Sequence, residues 1–169
     1  VVHHQPREEY FSHDRDKLMA DIQCAVAGYV AERVKKGVTT TGVSADFSNA
    51  MKVAHFMVWK LGMGPSGYIG DYTVIPEHEL SETVKSKLND DTNQILRECM
   101  REVEELLKRE KVIFERFAHE LLTRQELEFD EIEAIFAEYG KANPRAFQKT
   151  NGHPEAPSAE SDKTERLDQ

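Results

Sequence analysis

Cysteine is scarce in this chain. Cys24 and Cys99 are the two cysteines among 169 residues, too few for a disulfide framework, and both fall inside helical patterns. They read as reduced thiols in a cytosol-like compartment. Long apolar runs are missing as well. The best candidate, residues 53–59, is interrupted by His55 and falls far short of the roughly 18–20 residues that cross a bilayer. The opening VVHHQPREEY has no apolar centre, so no signal peptide is visible. Basic residues are outnumbered, 22 Lys and Arg against 31 Asp and Glu, for a formal net charge of −9. That balance argues against a nucleic-acid partner, since phosphate binding needs clustered cations. No internal repeat is evident.

What remains is a polar globular composition, 39% hydrophobic and 31% charged, at a length that suits one domain. Helical spacing dominates it. Ser12 or Asp14 can cap a helix running to about Lys36, on which Leu18, Ile22, Ala25, Val26, Tyr29, Val30 and Val34 share a face. Lys35 and Lys36 suit its C-terminus, and Gly37 suits the position just beyond. Three consecutive threonines, Thr39, Thr40 and Thr41, lie in a looped stretch before a second helix that starts at Ser44 to Asp46 and ends near Leu61. Its apolar stripe is Phe47, Ala50, Met51, Ala54, Met57, Val58 and Leu61, and Gly62, Gly64, Pro65 and Gly67 stop it.

Residues 68–75, β-branched and aromatic between Gly67 and Pro76, form the one expected strand, which needs a partner to stand. From Ser81 to about Arg124 the pattern is helical again, with a break expected near Glu110 and Lys111 because so long a single rod is unusual. Asp130 is the expected cap of a last short helix, which Gly140 ends. The expected fold class is therefore mainly α with one short β element, over residues 1–140. After that come Pro144, Pro154 and Pro157 amid Ser, Thr, Glu, Lys and Asp. Such a segment buries too little apolar surface to offset its ordering, so 141–169 is expected to be a disordered polar tail.

The segment 38–63, VTTTGVSADFSNAMKVAHFMVWKLGM, carries the most information. It delivers one carboxylate, Asp46, to the first turn of a strongly patterned helix. Free backbone N–H groups and the positive helix end there hold an anion ionised and oriented. An acid in that place is commonly an ordinary capping or first-turn residue. The surrounding pattern offers a second meaning. The segment resembles a stretch of FtsH-type ATP-dependent proteases close to TTGASNDLERATELARRMVTEWGM, in which the Asp follows the Gly by four residues. Gly42 and Asp46 keep that spacing. Residues 27–32, AGYVAE, look like the family's GGRVAEE, with Tyr29 in place of Arg and Arg33 in place of the second Glu. Leu61, Gly62 and Met63 match its WGM, and ELLTRQELEFDEIEAIF is similar to its ALLEKETLDGEEI. The likeness runs from about Lys17 to Tyr139.

That resemblance implies that Asp46 is the third protein ligand of a catalytic zinc. The other two ligands and the general base of such a site come from H-E-x-x-H on a helix, where His at i and i+4 share one face. Here His3, His4, His13, His55, His78, His119 and His153 include no such pair around a Glu. The resemblance places that motif, and the Gly-rich phosphate loop of an ATPase module, before Val1. A first residue that is Val rather than Met agrees with this. The chain is thus expected to be the C-terminal portion of an FtsH-like peptidase domain, inactive in isolation.

The parent implied is a membrane-anchored AAA+ zinc metalloendopeptidase that uses zinc and ATP. It would assemble as a homo-hexamer, with the long helices supplying subunit contacts, and would unfold and degrade polypeptide substrates. This portion would face the cytoplasm or an equivalent reducing organelle interior, with membrane association only through an N-terminal region outside it. The alternative is a free-standing degenerate relative that acts as a non-catalytic helical interaction module; an unrelated helical adaptor is a third reading.

Overall fold

Helix α1 (Arg15–Lys36) begins where the Asp14 carboxylate accepts the Lys17 N–H at 2.8 Å, and it stops where Gly37 turns left-handed at φ 69°. Both ends follow the expected cap chemistry. A short 3₁₀ turn, Thr41–Val43, leads into α2 (Ser44–His55), which continues directly as a π turn over Phe56–Lys60. Helix α3 (Glu82–Arg109) starts on Ser81, whose hydroxyl accepts the Val84 N–H at 3.3 Å. The computed structural model describes residues 12–141, and these helices make up the first of its two units, which ends at Lys111.

In this unit α1 packs on both α2 and α3, and α2 packs on α3. Leu18, Met19, Ile22, Val26 and Val30 of α1 meet Ala50, Ala54, Met57 and Val58, and Leu88, Ile95, Leu96, Cys99 and Val103 of α3 complete the core. Each fully buried Leu, Ile or Val there stabilises the fold by about 1.5–3 kcal/mol. Ala50 and Ala54 keep the α2 face small where the other helices approach. The sequence stripe predicts burial for Leu61 as well, but Leu61 is exposed. The π turn is the reason. An i to i+5 bond, Leu61 N–H to Phe56 C=O at 3.2 Å, adds a residue to the turn, so Met57 and Val58 are both buried and Leu61 rotates outward.

The expected strand over 68–75 is not formed, and the described residues contain no strand. Instead, Asp71 accepts from the Thr73 N–H at 3.0 Å and caps a 3₁₀ turn, Tyr72–Val74. No second strand is at hand to supply ladder bonds. The chain is also pressed against Gly62, where a Cβ would stand 3.1 Å from Gly70 N and 3.2 Å from Tyr68 O. Just before it, Asp91 reaches out of α3 to bond the Ser66 N–H at 3.2 Å and the Ser66 hydroxyl.

The second unit opens with α4 (Lys111–Arg124), after the break expected at Glu110, and ends with α5 (Phe129–Glu138). Phe117 and Phe136 meet with ring centroids 5.2 Å apart, and Arg116 bonds Glu120 and reaches Glu138 at 3.4 Å. The cap of α5 is Glu128 and not Asp130. Glu128 and Glu131 bond each other's backbone N–H reciprocally, which places Asp130 inside the first turn, where it has no capping role. Among the described residues no helix is long and apolar enough to cross a membrane. The tail expected over 141–169 lies, beyond Lys141, outside the described residues.

Candidate metal centre

Asp46 occupies the first turn of α2, on its exposed side. Val43, which precedes this turn, makes no side-chain cap bond, and the Ser44 N–H is taken by the Thr41 carbonyl of the 3₁₀ turn that runs straight into α2. Among the described residues, no hydrogen bond or ion pair engages the Asp46 carboxylate.

Helix α1 supplies the floor. A Cβ at Gly28 would stand 3.8 Å from Asp46 Oδ2, so the bare backbone of α1 lies directly beneath the carboxylate. One residue along each chain, Tyr29 and Phe47 pack edge-to-face at 4.7 Å, and the Arg33 guanidinium lies 5.9 Å from the Tyr29 ring. One turn further along α1, Glu32 accepts the Thr40 N–H at 2.8 Å and the Thr40 hydroxyl at 3.0 Å. The fold thus brings together two motifs that are separate in sequence, AGYVAE on α1 and the TTTG…D segment. The roles of Gly28, Glu32 and Thr40 are not evident from spacing alone. A Gly and a Glu four apart on a helix share a face, but nothing in the sequence says that Thr40 and Asp46 meet that face.

The histidines have their own surroundings. His55 stacks on Trp59 at 4.9 Å with an 8° interplanar angle, which makes it a packing residue. His78 lies 3.8 Å from Glu79 in an exposed turn, His119 is exposed on α4, and His13 precedes α1. His3, His4 and His153 lie outside the described residues. Among the described residues no three His, Cys, Asp or Glu side chains group as a metal site. The Asp46 carboxylate is a single oxygen donor, and a zinc sphere of four would need further donors beside it.

Of the two thiols, Cys24 is exposed on α1. Cys99 is buried against the Met19 carbonyl at 3.7 Å, and burial, helped by Glu102 and Glu98, pushes it up to about 11. A cleft of about 640 Å3 lies between His55, Trp59, Leu80, Lys85 and the turn at Tyr72 to Glu77, and Asp46 is not among its walls.

Comparison with known proteins shows the family. The model of Peptidase family M41 matches residues 1–135. The chain is 30% identical over 142 residues to the ATP-dependent zinc metalloprotease FtsH 4 of Sorangium cellulosum, covering 77% of this chain and 22% of that protein. It is 29% identical over 141 residues to the ATP-dependent zinc metalloprotease FtsH of Borreliella burgdorferi, with the same coverage of 77% and 22%. Against the ATP-dependent zinc metalloprotease YME1L1 of Mus musculus it is 32% identical over 132 residues, 77% of this chain and 18% of the relative. The chain thus spans about a fifth of the length of these relatives.

Proposed function

The chain belongs to peptidase family M41, and we propose that it supplies the third protein ligand, Asp46, to the catalytic zinc of an FtsH-like metalloendopeptidase. The observation that carries this reading is the exposed carboxylate of Asp46 at the first turn of α2, without a partner among the described residues and seated over Gly28 where two family-like motifs meet. When bound, zinc lowers the pKa of its water and polarises the scissile carbonyl. The residues of this chain do the rest of what is proposed here. Asp46 donates one carboxylate oxygen and its negative charge. Asp46 sits at the positive N-terminal end of α2, and the α1 backbone at Gly28 lies beneath it.

On this reading the two histidine ligands and the general base belong to an H-E-x-x-H segment outside the chain, and the ATP site belongs to a separate ATPase module. The reading extends to an assembled, membrane-associated protease, a homo-hexamer acting on unfolded polypeptides with ATP, as the names of the relatives suggest for zinc and ATP. The isolated chain would be inactive, because one carboxylate does not make a zinc site.

The deciding experiment compares zinc affinity in this chain, in a polypeptide extended to include the H-E-x-x-H segment, and in the extended form with Asp46→Ala. The chain alone should bind weakly, the extended form tightly, and the substitution should remove most of the gain. Retention of tight zinc and of proteolysis after Asp46→Ala would overturn the assignment.

A further inference from the structure

The loop that delivers Asp46 is tied to α1 through Glu32. Residues 38–43 separate α1 from α2, and the Glu32 side chain of α1 bonds Thr40 among them. Both of its carboxylate oxygens are engaged by one residue, Oε2 by the Thr40 N–H at 2.8 Å and Oε1 by the Thr40 hydroxyl at 3.0 Å. A carboxylate that receives two donors from one residue fixes direction as well as distance.

The contacts then run in register. Glu32 meets Thr40, Gly28 one turn earlier meets Asp46, and the adjacent Tyr29 meets Phe47. The loop and α2 run back along α1, and the first contact in that series sets the position of those that follow. Asp46 itself has no hydrogen bond among the described residues, so its place depends on what holds the backbone leading to it.

We propose that Glu32 is a positioning residue for Asp46: through Thr40 it latches the loop onto α1 and thereby holds the carboxylate where the zinc needs it. This rests on the reading of Asp46 as a zinc ligand. The latch makes no contact with metal or substrate. It removes the freedom of the loop before the metal arrives, and preorganised ligands bind metal more tightly than mobile ones for the same donors.

The test uses the full-length zinc-loaded protein with Glu32→Ala, Glu32→Gln, Thr40→Val, Thr40→Ser and Asp46→Asn. Thr40→Ser keeps both donors and should keep wild-type zinc affinity. Thr40→Val loses the hydroxyl bond and should weaken zinc by about threefold, whereas Glu32→Gln can keep both contacts, its NH2 donating to the Thr40 hydroxyl, and should weaken zinc by less than that. Glu32→Ala should weaken it by about tenfold, at the low end of what outer partners of metal ligands contribute. With cobalt in place of zinc, Glu32→Ala and Thr40→Val should also shift the visible absorption bands, which a change in stability alone does not do. In this chain without metal, amide exchange at Thr40 to Phe47 should accelerate in Glu32→Ala while exchange in α3 stays unchanged.

Two failures are separable. If Asp46→Asn leaves zinc untouched, the ligand assignment falls, and the latch proposal falls with it. If Asp46→Asn loses zinc while Glu32→Ala keeps native affinity and cobalt bands, the latch alone is overturned.

Discussion

Two aspartates near opposite ends of the α2 segment meet contrary fates. Asp91, 2% exposed, comes from the middle of α3 and is committed to the turn after the π segment, bonding the Ser66 N–H and hydroxyl. Asp46 stands in water at the other end and bonds no described residue. A buried carboxylate must be satisfied by the protein, because an unpartnered one in that setting is expensive. A solvated carboxylate at a helix start needs no internal partner, so it remains available to an external cation. Burial and partners, more than residue type, separate the structural acid from the candidate ligand.

The largest effect should come from the exposed member. Asp46→Asn in the zinc-binding form is expected to weaken zinc more than about 100-fold, beyond what outer partners contribute. Its effect on folding should stay under about 1 kcal/mol, since it disturbs a surface charge near a helix dipole. Metal titration and urea denaturation on one preparation would measure both. A large loss of stability would break the contrast by making Asp46 structural.

The buried member should behave oppositely. Asp91→Ala strands both Ser66 donors and is expected to destabilise by about 2–3 kcal/mol without an effect on zinc beyond twofold. Gly64→Ala should follow it at about 1–3 kcal/mol, because the added Cβ would overlap Asp91 Oδ2 and stand 3.1 Å from its Cγ. Equilibrium denaturation of each variant is the check, and a neutral Asp91→Ala would erase the distinction between the two acids.

Cys99 extends the buried side to alkaline pH. Its thiol is pushed from 9.0 up to about 11, by burial first and then by Glu102 and Glu98. The folded state therefore holds the proton that the unfolded chain releases above pH 9. Stability is intact below that pH and declines as pH rises toward 11, by on the order of 2 kcal/mol. Urea midpoints at pH 8, 10 and 11 should show the decline, and Cys99→Ala, though less stable overall, should flatten it.

The smallest change is expected at Gly28, beneath Asp46. A methyl at Gly28 makes ordinary contact with Asp46 Oδ2 at 3.8 Å, and Ala suits a helix better than Gly by up to about 1 kcal/mol. Gly28→Ala should thus raise the melting temperature slightly and leave zinc affinity alone. Gly28→Leu should reduce zinc affinity by crowding the carboxylate. Equal zinc binding in both would show that the seat under Asp46 is not used.

Much of this arrangement was legible beforehand where chemistry is local. Asp14, Gly37 and Ser81 mark the helix ends they were expected to mark, and of the α1 stripe Leu18, Ile22, Val26 and Val30 are buried while Ala25 and Tyr29 are partly so. Val34 escapes burial in the last turn, which a periodic pattern does not reveal. The stretch 68–75 carries the composition of a strand, but strands depend on partners, and Asp71 and Gly62 shape it locally into a turn. Asp130 lost the cap to Glu128 because the reciprocal pair with Glu131 satisfies two backbone donors at once.

By itself the sequence determined the helices, their ends and the placing of one acid at the start of α2, since caps and periodicity act over three or four residues. The tertiary structure decided which acid is left free, which is buried, and that Gly28, Glu32 and Thr40 gather around Asp46. Those outcomes depend on contacts between α1 and the chain that folds back along it, and such contacts follow from packing three helices into one core, which no local pattern encodes.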